Sequence, residues 1–169
     1  MLDLVQEYIN MHTNNNYDTT SLLKHDINNI RGLVAGTRSI HVLDYGCGKG
    51  YQYTKEHKNL DFRILDKNIY GYDPSVSEYS VLPNRYFDGV ISTDVLEHIP
   101  EKELDETLHN IFKIATKFVY IAVNCLEAKN TLSDGSNAHC TIKEPAWWAS
   151  RIHSFNKHKD IPLTVSYRV

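Results

Sequence analysis

Asp44, Asp73, Asp94 and His139 are the side chains best suited to bind a polar ligand or move a proton, and the first of them heads a run of glycines. The run reads Asp44-Tyr45-Gly46-Cys47-Gly48-Lys49-Gly50. Glycine admits left-handed backbone and lets the main chain approach a ligand with no β-carbon between them. A helix opening behind such a loop offers free N–H groups and a positive dipole end, which suit a phosphate or a carboxylate. Asp73 precedes Pro74 and lies 23 residues beyond Gly50. An acid at the end of the next strand can accept hydrogen bonds from two ribose hydroxyls, although Asp-Pro by itself only starts a turn. Further on stand Thr93-Asp94-Val95-Leu96-Glu97-His98, then Asn124, then Asp134-Gly135-Ser136-Asn137-Ala138-His139. A neutral histidine beside an attacking hydroxyl or amine can take its proton, which makes His139 a candidate base.

The spacing of the glycines selects among nucleotide loops. The dinucleotide pattern G-x-G-x-x-G/A fails, because its third position falls on Tyr51. A phosphate loop needs Gly-Lys-Ser/Thr, and Lys49 is followed by Gly50. The pattern that remains is acidic-x-Gly-x-Gly-x-Gly.

Such a loop must be held between a strand and a helix. Ile40 to Tyr45 is a short apolar run stopping at the glycines, and a helix is expected from Gly48–Gly50 to about His57. Asn68 to Tyr72 and Phe87 to Ser92 read as further strands. Glu101 to Lys117 reads as a helix with Leu104, Leu108, Ile111, Phe112 and Ala115 on one face. Pro100 suits its first turn, with Lys113 and Lys117 at its negative end. Phe118 to Val123 is an unbroken apolar strand of the kind buried on both faces. Glu144-Pro145 opens a helix facing inward with Trp148, Ile152 and Phe155, and Ile161 to Tyr167 is a last strand. Upstream, Leu2, Val5, Tyr8 and Ile9 suggest one helix, and Leu23, Ile27, Ile30 and Val34 a second. Asn14-Asn15-Asn16 is the loop between them. Asp18, Thr19 or Thr20 caps the second helix, and Gly36 ends it. Strands alternating with helices imply an α/β fold. The expectation is a single Rossmann-like, doubly wound, mostly parallel sheet with helices on both faces. One domain spans 1–169, with helices in 1–36, a core in 38–125 and a substrate side in 126–169.

Composition narrows the partners. The chain has 169 residues, 41% hydrophobic and 23% charged, with a net charge of −3. That balance disfavours a broad duplex-binding surface, which needs clustered cations. Cys47, Cys125 and Cys140 are odd in number and widely spaced, so no disulfide framework is expected. Cys125 and Cys140 read as small apolar residues rather than nucleophiles. No CxxC or His-x-x-x-His pair suggests a metal, and no metal-ligand cluster is expected. The apolar runs are too short to span a membrane, and Met1-Leu2-Asp3 does not begin a signal peptide, so a cytoplasmic location is expected.

The loop Asp44-x-Gly46-x-Gly48-x-Gly50, Asp73 and the segment Phe87 to Ile99 together resemble class I S-adenosylmethionine-dependent methyltransferases. The resemblance covers roughly residues 38 to 125. In that family an acidic-Val-Leu-Glu-His sequence follows the fourth strand, as Asp94-Val95-Leu96-Glu97-His98 does here. The resemblance implies that Asp44, Gly46, Cys47 and Gly48 hold the methionine part of S-adenosyl-L-methionine. Asp73 and Pro74 would lie at the ribose, and Thr93, Asp94 and Val95 beside the cofactor. Asp94, His98 and His139 are the candidates for proton transfer. Glu97 and His98 read equally as residues that cap a short turn and bond backbone. On the substrate side Asn124, Asn137 and Trp147 are candidate contacts, although Trp147 reads equally as a partly buried aromatic. Asp134-Gly135 is first of all a turn. The stretch from Asp134 to Trp148 is similar to small bacterial and phage methyltransferase-like proteins of unassigned substrate.

The sequence also departs from the family. Only 13 residues separate Asp73 from Phe87, where the family has a helix and a third strand, so the fold is expected to be shortened there. Val81 stands before Leu82-Pro83, where the family often has an acid for the adenine amino group. The closing antiparallel pair of strands is reduced to one. No Asn-Pro-Pro-Tyr, Asp-Pro-Pro-Tyr or Pro-Cys sequence of DNA methyltransferases is present. The acceptor expected is a small molecule or glycan-like group methylated on oxygen or nitrogen. A non-catalytic binding protein of the same fold, a nucleic-acid methyltransferase and a sulfonium-cleaving enzyme remain as alternatives.

Overall fold

Alternation inside the apolar run Phe118 to Val123 sends its side chains to two separate cores. Phe118, Tyr120 and Ala122 pack with Ile27, Ile30 and Val34 of helix α2 (Lys24–Thr37). Val119, Ile121 and Val123 pack with Leu104, Leu108, Trp148 and Ile152 from helices α3 (Leu104–Ile114) and α4 (Pro145–Asn156). The computed structural model describes residues 3–14, 24–53 and 68–169. Among them five strands form one sheet: β1 (Val42–Tyr45), β2 (Ile69–Tyr72), β3 (Phe87–Thr93), β4 (Ala115–Asn124) and β5 (Leu163–Arg168). Their order is β2-β1-β3-β4-β5, and every pair is parallel. The fold is therefore α/β and Rossmann-like, with helices on both faces. Strand order reverses between β1 and β3, the place where sheets of this kind open a crevice beyond the carboxyl ends of their strands. No described helix is long and apolar enough to cross a membrane.

Several boundaries depart from the sequence reading. The helix expected over Glu101 to Lys117 is shorter at both ends. Pro100 lies ahead of it, in a turn closed by the Glu103 N–H on the Pro100 carbonyl at 2.8 Å. At the other end the chain passes straight from α3 into β4. Ala115 takes its place opposite Phe87, and the Thr116 hydroxyl donates to the Phe87 carbonyl at 2.8 Å. Lys117 is thereby taken from the helix end and pairs with Asp88 at 3.0 Å. Helix α2 continues through Gly36, and Arg38 takes the left-handed conformation with φ 52°. The Ser39 N–H reaches back to the Val34 carbonyl at 3.0 Å, so the motif that ends the helix is present two residues later than expected. Helix α1 (Leu4–Thr13) is capped by Asp3 and buries Met11, whereas Val5 is exposed. Leu2, the loop residues Asn15 and Asn16, the caps Asp18, Thr19 and Thr20, Leu23 and the helix expected to reach His57 lie outside the described residues. Of that last helix only a turn at Tyr51–Tyr53 is described.

The shortened regions have simple geometry. Residues 74–86 contain no strand. Two successive turns, Val76 N–H to the Asp73 carbonyl and Tyr79 N–H to the Val76 carbonyl, bring the chain back. The Tyr79 carbonyl then accepts the Asp73 N–H at 3.0 Å, which leaves β2 at the sheet edge. At the other edge β5 pairs in parallel with β4, so the closing strand is not antiparallel.

Gly89 of β3 lies opposite Phe118 of β4, and a β-carbon there would overlap the Phe118 ring. Gly89→Ala should therefore destabilise the fold by about 2–3 kcal/mol through overpacking. Gly36→Ala, in a helix with nothing within 4 Å of the new carbon, should stabilise it by about 0.5–1 kcal/mol. Urea denaturation of both variants checks the pair, and equal effects would show that the contact with Phe118 does not limit residue 89.

Candidate active site

The glycine loop is held from three sides. Gly46 turns the chain with φ 90°, and the N–H groups of Gly46 and Cys47 both donate to the Tyr72 carbonyl at the end of β2, at 2.7 and 3.2 Å. A β-carbon on Gly46 would overlap a γ-methyl of Val95 and stand 2.8 Å from the other. Gly48 and Gly50 also have positive φ, 54° and 67°, and Gly50 lies against the Tyr79 ring. Asp73 is anchored as well. Its Oδ2 accepts the Gly48 N–H at 2.9 Å, while Oδ1 accepts the Ser75 N–H at 2.9 Å and the Ser75 hydroxyl at 2.5 Å. A carboxylate has about four lone-pair positions, so Asp73 keeps room for a further donor.

Asp44 lies beneath the loop and is 1% exposed. Its Oδ2 accepts from Gln52 Nε2 at 3.0 Å and from the Tyr53 hydroxyl. Its Oδ1 is buried with no hydrogen-bond partner among the described residues. Burial pushes the carboxyl up to about 6, against the opposing effect of the Tyr53 and Gln52 hydrogen bonds. Neither Gln52 nor Tyr53 was singled out by the sequence, because a buried donor to an acid carries no spacing signature.

A cavity of about 600 Å³ opens at the reversal of strand order, within the range of small-molecule sites. Gly46, Cys47 and Gly48 line it from the loop, and Asp73 and Pro74 from the end of β2. Asp94, Val95 and His98 line it from the segment after β3, with Asn124 and His139 beyond. Helix α1 adds Leu4, Val5, Tyr8 and His12, while the described part of α2 packs on the sheet. The Tyr8 hydroxyl faces the carbonyls of His98 and Ala138 at 3.2 and 3.0 Å.

Four of the residues named from sequence are not brought to the cavity wall, the first being Asp44 beneath the loop. Thr93 is buried behind it at the end of β3. Asn137 turns inward on its own loop, accepting the N–H groups of Ala128 and His139, each at 2.9 Å, and donating to the Ala128 carbonyl at 3.0 Å. Trp147 sits on the flank of α4 between Lys143 and Arg151, 5.2 and 5.6 Å from its ring. Trp147 is half-buried at the margin of the main core, its ring edge to face with the fully buried Trp148 at 5.0 Å between centroids.

The segment after β3 carries two kinds of charge. Asp94 adopts φ 54°, and its Oδ1 accepts from Arg168 Nε at 2.5 Å. Arg168 also reaches Asp26 at 3.1 Å, and Asp26 accepts the Tyr120 hydroxyl at 2.6 Å. Burial raises the Asp94 carboxyl, and the Arg168 guanidinium works against that rise. The ion pair fixes the Asp94 carboxylate on the cavity wall. Sequence reading missed Arg168 and Asp26, which stand 142 positions apart and meet only through the sheet.

Glu97, His98 and His139 come together. Glu97 is fully buried. Its Oε1 accepts the Asn124 N–H at 3.0 Å, and its carbonyl accepts the Thr141 N–H at 2.9 Å. Burial, with the nearby Asp94 charge, pushes its carboxyl up to about 8. The rings of His98 and His139 meet edge to face, with centroids 4.7 Å apart. Burial, then His139, lowers His98 to about 4, which keeps its ring neutral. The three residues place ligand atoms within 4.8 Å of one another. This corrects the expectation that no metal-ligand cluster exists, since residues 41 positions apart could not announce it by spacing. Burial pushes the Cys140 thiol up to about 11 and raises Cys47 and Cys125 too, so all three remain thiols rather than nucleophilic thiolates.

Residues 19–152, more than half of the 169, match the family model of a methyltransferase domain. The chain belongs to that family. No curated protein matches it. As a methyltransferase the chain needs a donor pocket and an acceptor pocket that share an opening, and the cavity brings the glycine loop and the histidine pair to one space.

The raised Asp44 carboxyl generates a pH dependence. Folding favours its protonated form, so this contribution to stability is complete below pH 3.8 and is lost as pH rises through about 6. Asp44→Asn cannot ionise. The stability of wild type relative to this variant should fall by on the order of 2–3 kcal/mol between about pH 4 and about pH 7.5, read by urea denaturation. A difference that stays flat across this range would rule out a buried, ionising Asp44.

Proposed function

We propose that this methyltransferase uses S-adenosylmethionine and methylates an oxygen or nitrogen of a small or glycan-like acceptor. The observation that carries the reading is the single cavity that joins the glycine loop and Asp73 to His98 and His139. The residues fit the cofactor. Gly46 lets the loop close against Val95 on the cavity wall, Asp73 keeps room for one further donor such as a ribose hydroxyl, and the buried Oδ1 of Asp44 adds negative character beneath the methionine end. Bound there, the cofactor supplies a methyl group on sulfonium sulfur, and displacement gives a methylated acceptor, S-adenosylhomocysteine and a proton.

The chain's own groups then have distinct tasks. Gly46, Cys47 and Gly48 cradle the methionine portion, and Asp73 with Pro74 receives the ribose. Val81 is exposed and no acid precedes Leu82, so the adenine is left to apolar contact with Val95, Tyr72 and Ile99. The acceptor lies towards His98, His139 and Asn124. There the two imidazoles orient its heteroatom, and His139 can receive its proton. Alignment of donor and acceptor in one closed space supplies most of the rate enhancement expected for a direct displacement.

Calorimetric titration with S-adenosylmethionine and S-adenosylhomocysteine tests the cofactor. Saturable binding is expected, weakened at least about tenfold by Asp73→Ala, which corresponds to about 1.4 kcal/mol. Gly46→Val should abolish it while circular dichroism shows a folded chain. A folded wild type that binds neither compound would sink the reading and leave a non-catalytic binding protein of the same fold.

A further inference from the structure

We propose that Glu97, His98 and His139 form a binding site for a divalent transition ion of the zinc class, at the acceptor end of the cavity. Each residue offers one ligand atom, and the three atoms lie within 4.8 Å of one another. The two imidazoles are held as metal-binding histidines are. His98 Nδ1 faces the Ala138 carbonyl at 2.9 Å, and His139 Nδ1 faces the Leu126 carbonyl at 2.5 Å. A carbonyl only accepts, so each Nδ1 carries the proton and each Nε2 the lone pair that a metal needs.

Glu97 supplies the independent sign. It is fully buried, and Oε1 is occupied by the Asn124 N–H at 3.0 Å. Its other oxygen, Oε2, is buried and has no hydrogen-bond partner among the described residues. A buried carboxyl oxygen without a hydrogen-bond partner is unfavourable, and a cation taking the place of its proton would satisfy it. The frame around the three is rigid. Glu97 and His98 share one turn after β3, and the turn is tied to residues 140–141 through the Glu97, His98 and Ile99 carbonyls. Asn137 fixes the backbone of His139.

Two imidazoles and one carboxylate select zinc and its first-row neighbours over magnesium or calcium, which prefer oxygen-only sites. Ligand atoms of four-coordinate zinc stand about 3.3 Å apart, so the three side chains complete the site by rotating towards a shared ion. His98 and His139 both line the cavity, so the open fourth position faces the acceptor. With the ion bound, His139 is its ligand and no longer a base, and the ion would itself hold an oxygen of the acceptor and lower its proton affinity. This last role rests on the methyltransferase reading given above, whereas metal binding itself does not.

The test is a titration of the chelator-treated full chain with Co²⁺, with no cofactor present. One equivalent should produce a visible absorption band that Zn²⁺ then bleaches, and Zn²⁺ should raise the melting temperature. His139→Ala and His98→Ala should lose the band, as should Glu97→Gln, which keeps the size and the acceptor for Asn124. The surface variant His153→Ala should retain it. Circular dichroism checks that each variant is folded. Acetate, as an oxygen-donor probe, should shift the band of the wild type. Absence of a stoichiometric band, or its persistence in the Glu97 and His139 variants, overturns the site. A band that acetate leaves unchanged overturns the acceptor-facing position. A Co²⁺ band in a chain that binds no S-adenosylmethionine would keep the metal site and remove the methyltransferase role, and the reverse pattern would do the opposite.

Discussion

The contact between Gly46 and Val95 is the constraint on which the site depends. Strands β1 and β3 are neighbours, and the chain leaves each in a different direction, so the two loops meet over the sheet. Any side chain at residue 46 would collide with Val95. The glycine therefore lets the loop after β1 and the segment after β3 share one wall. With that wall in place, Asp73 is drawn to the Gly48 amide from one side and the His98 turn is carried to the other. Without it, the glycine loop and the histidine pair would line separate surfaces.

A second constraint is the burial of charge beneath this wall. Asp44, Glu97, Asp26 and Asp94 are buried or partly buried, and each is answered differently. Asp94 and Asp26 share Arg168, which reaches them from the end of β5. Asp44 takes two side-chain donors from the turn after the glycine loop. Glu97 takes one backbone donor and keeps one oxygen unsatisfied. Removing a charged group from water is costly unless it is paired or neutralised. Carboxylates retained at such a cost are most readily understood where a ligand or proton is to be received. The edge strand β5 thus contributes to the site through Arg168, although it is far from the glycine loop in sequence.

The shortened parts of the fold leave this arrangement intact. In place of a third strand, two turns return the chain to β3 and set Tyr79 against Gly50 and Gly71. The glycine loop therefore keeps a packed support at the sheet edge. Helix α1 closes the opposite side of the cavity by way of Tyr8, which binds the carbonyls of His98 and Ala138. The helix is held there too by Met11 against Leu132 and Ala138, and by Glu7, which accepts the Ser133 N–H and hydroxyl.

Periodicity and loop chemistry made the sheet, the glycine loop, Asp73 and the segment after β3 legible in the sequence, because each is a local property of a few consecutive residues. Left-handed glycines, an acid at a strand end and a doubly buried strand all leave signatures within a dozen positions. Boundaries were less legible: α3 ends where pairing with Phe87 captures Ala115, and α2 ends at Arg38 rather than Gly36. Both outcomes depend on what the segment packs against. The meeting of Glu97 and His98 with His139 and the Arg168–Asp94–Asp26 network could be decided only by tertiary structure. Those contacts join residues dozens to more than a hundred positions apart, and the interval between such residues carries no information until a sheet has set their distance.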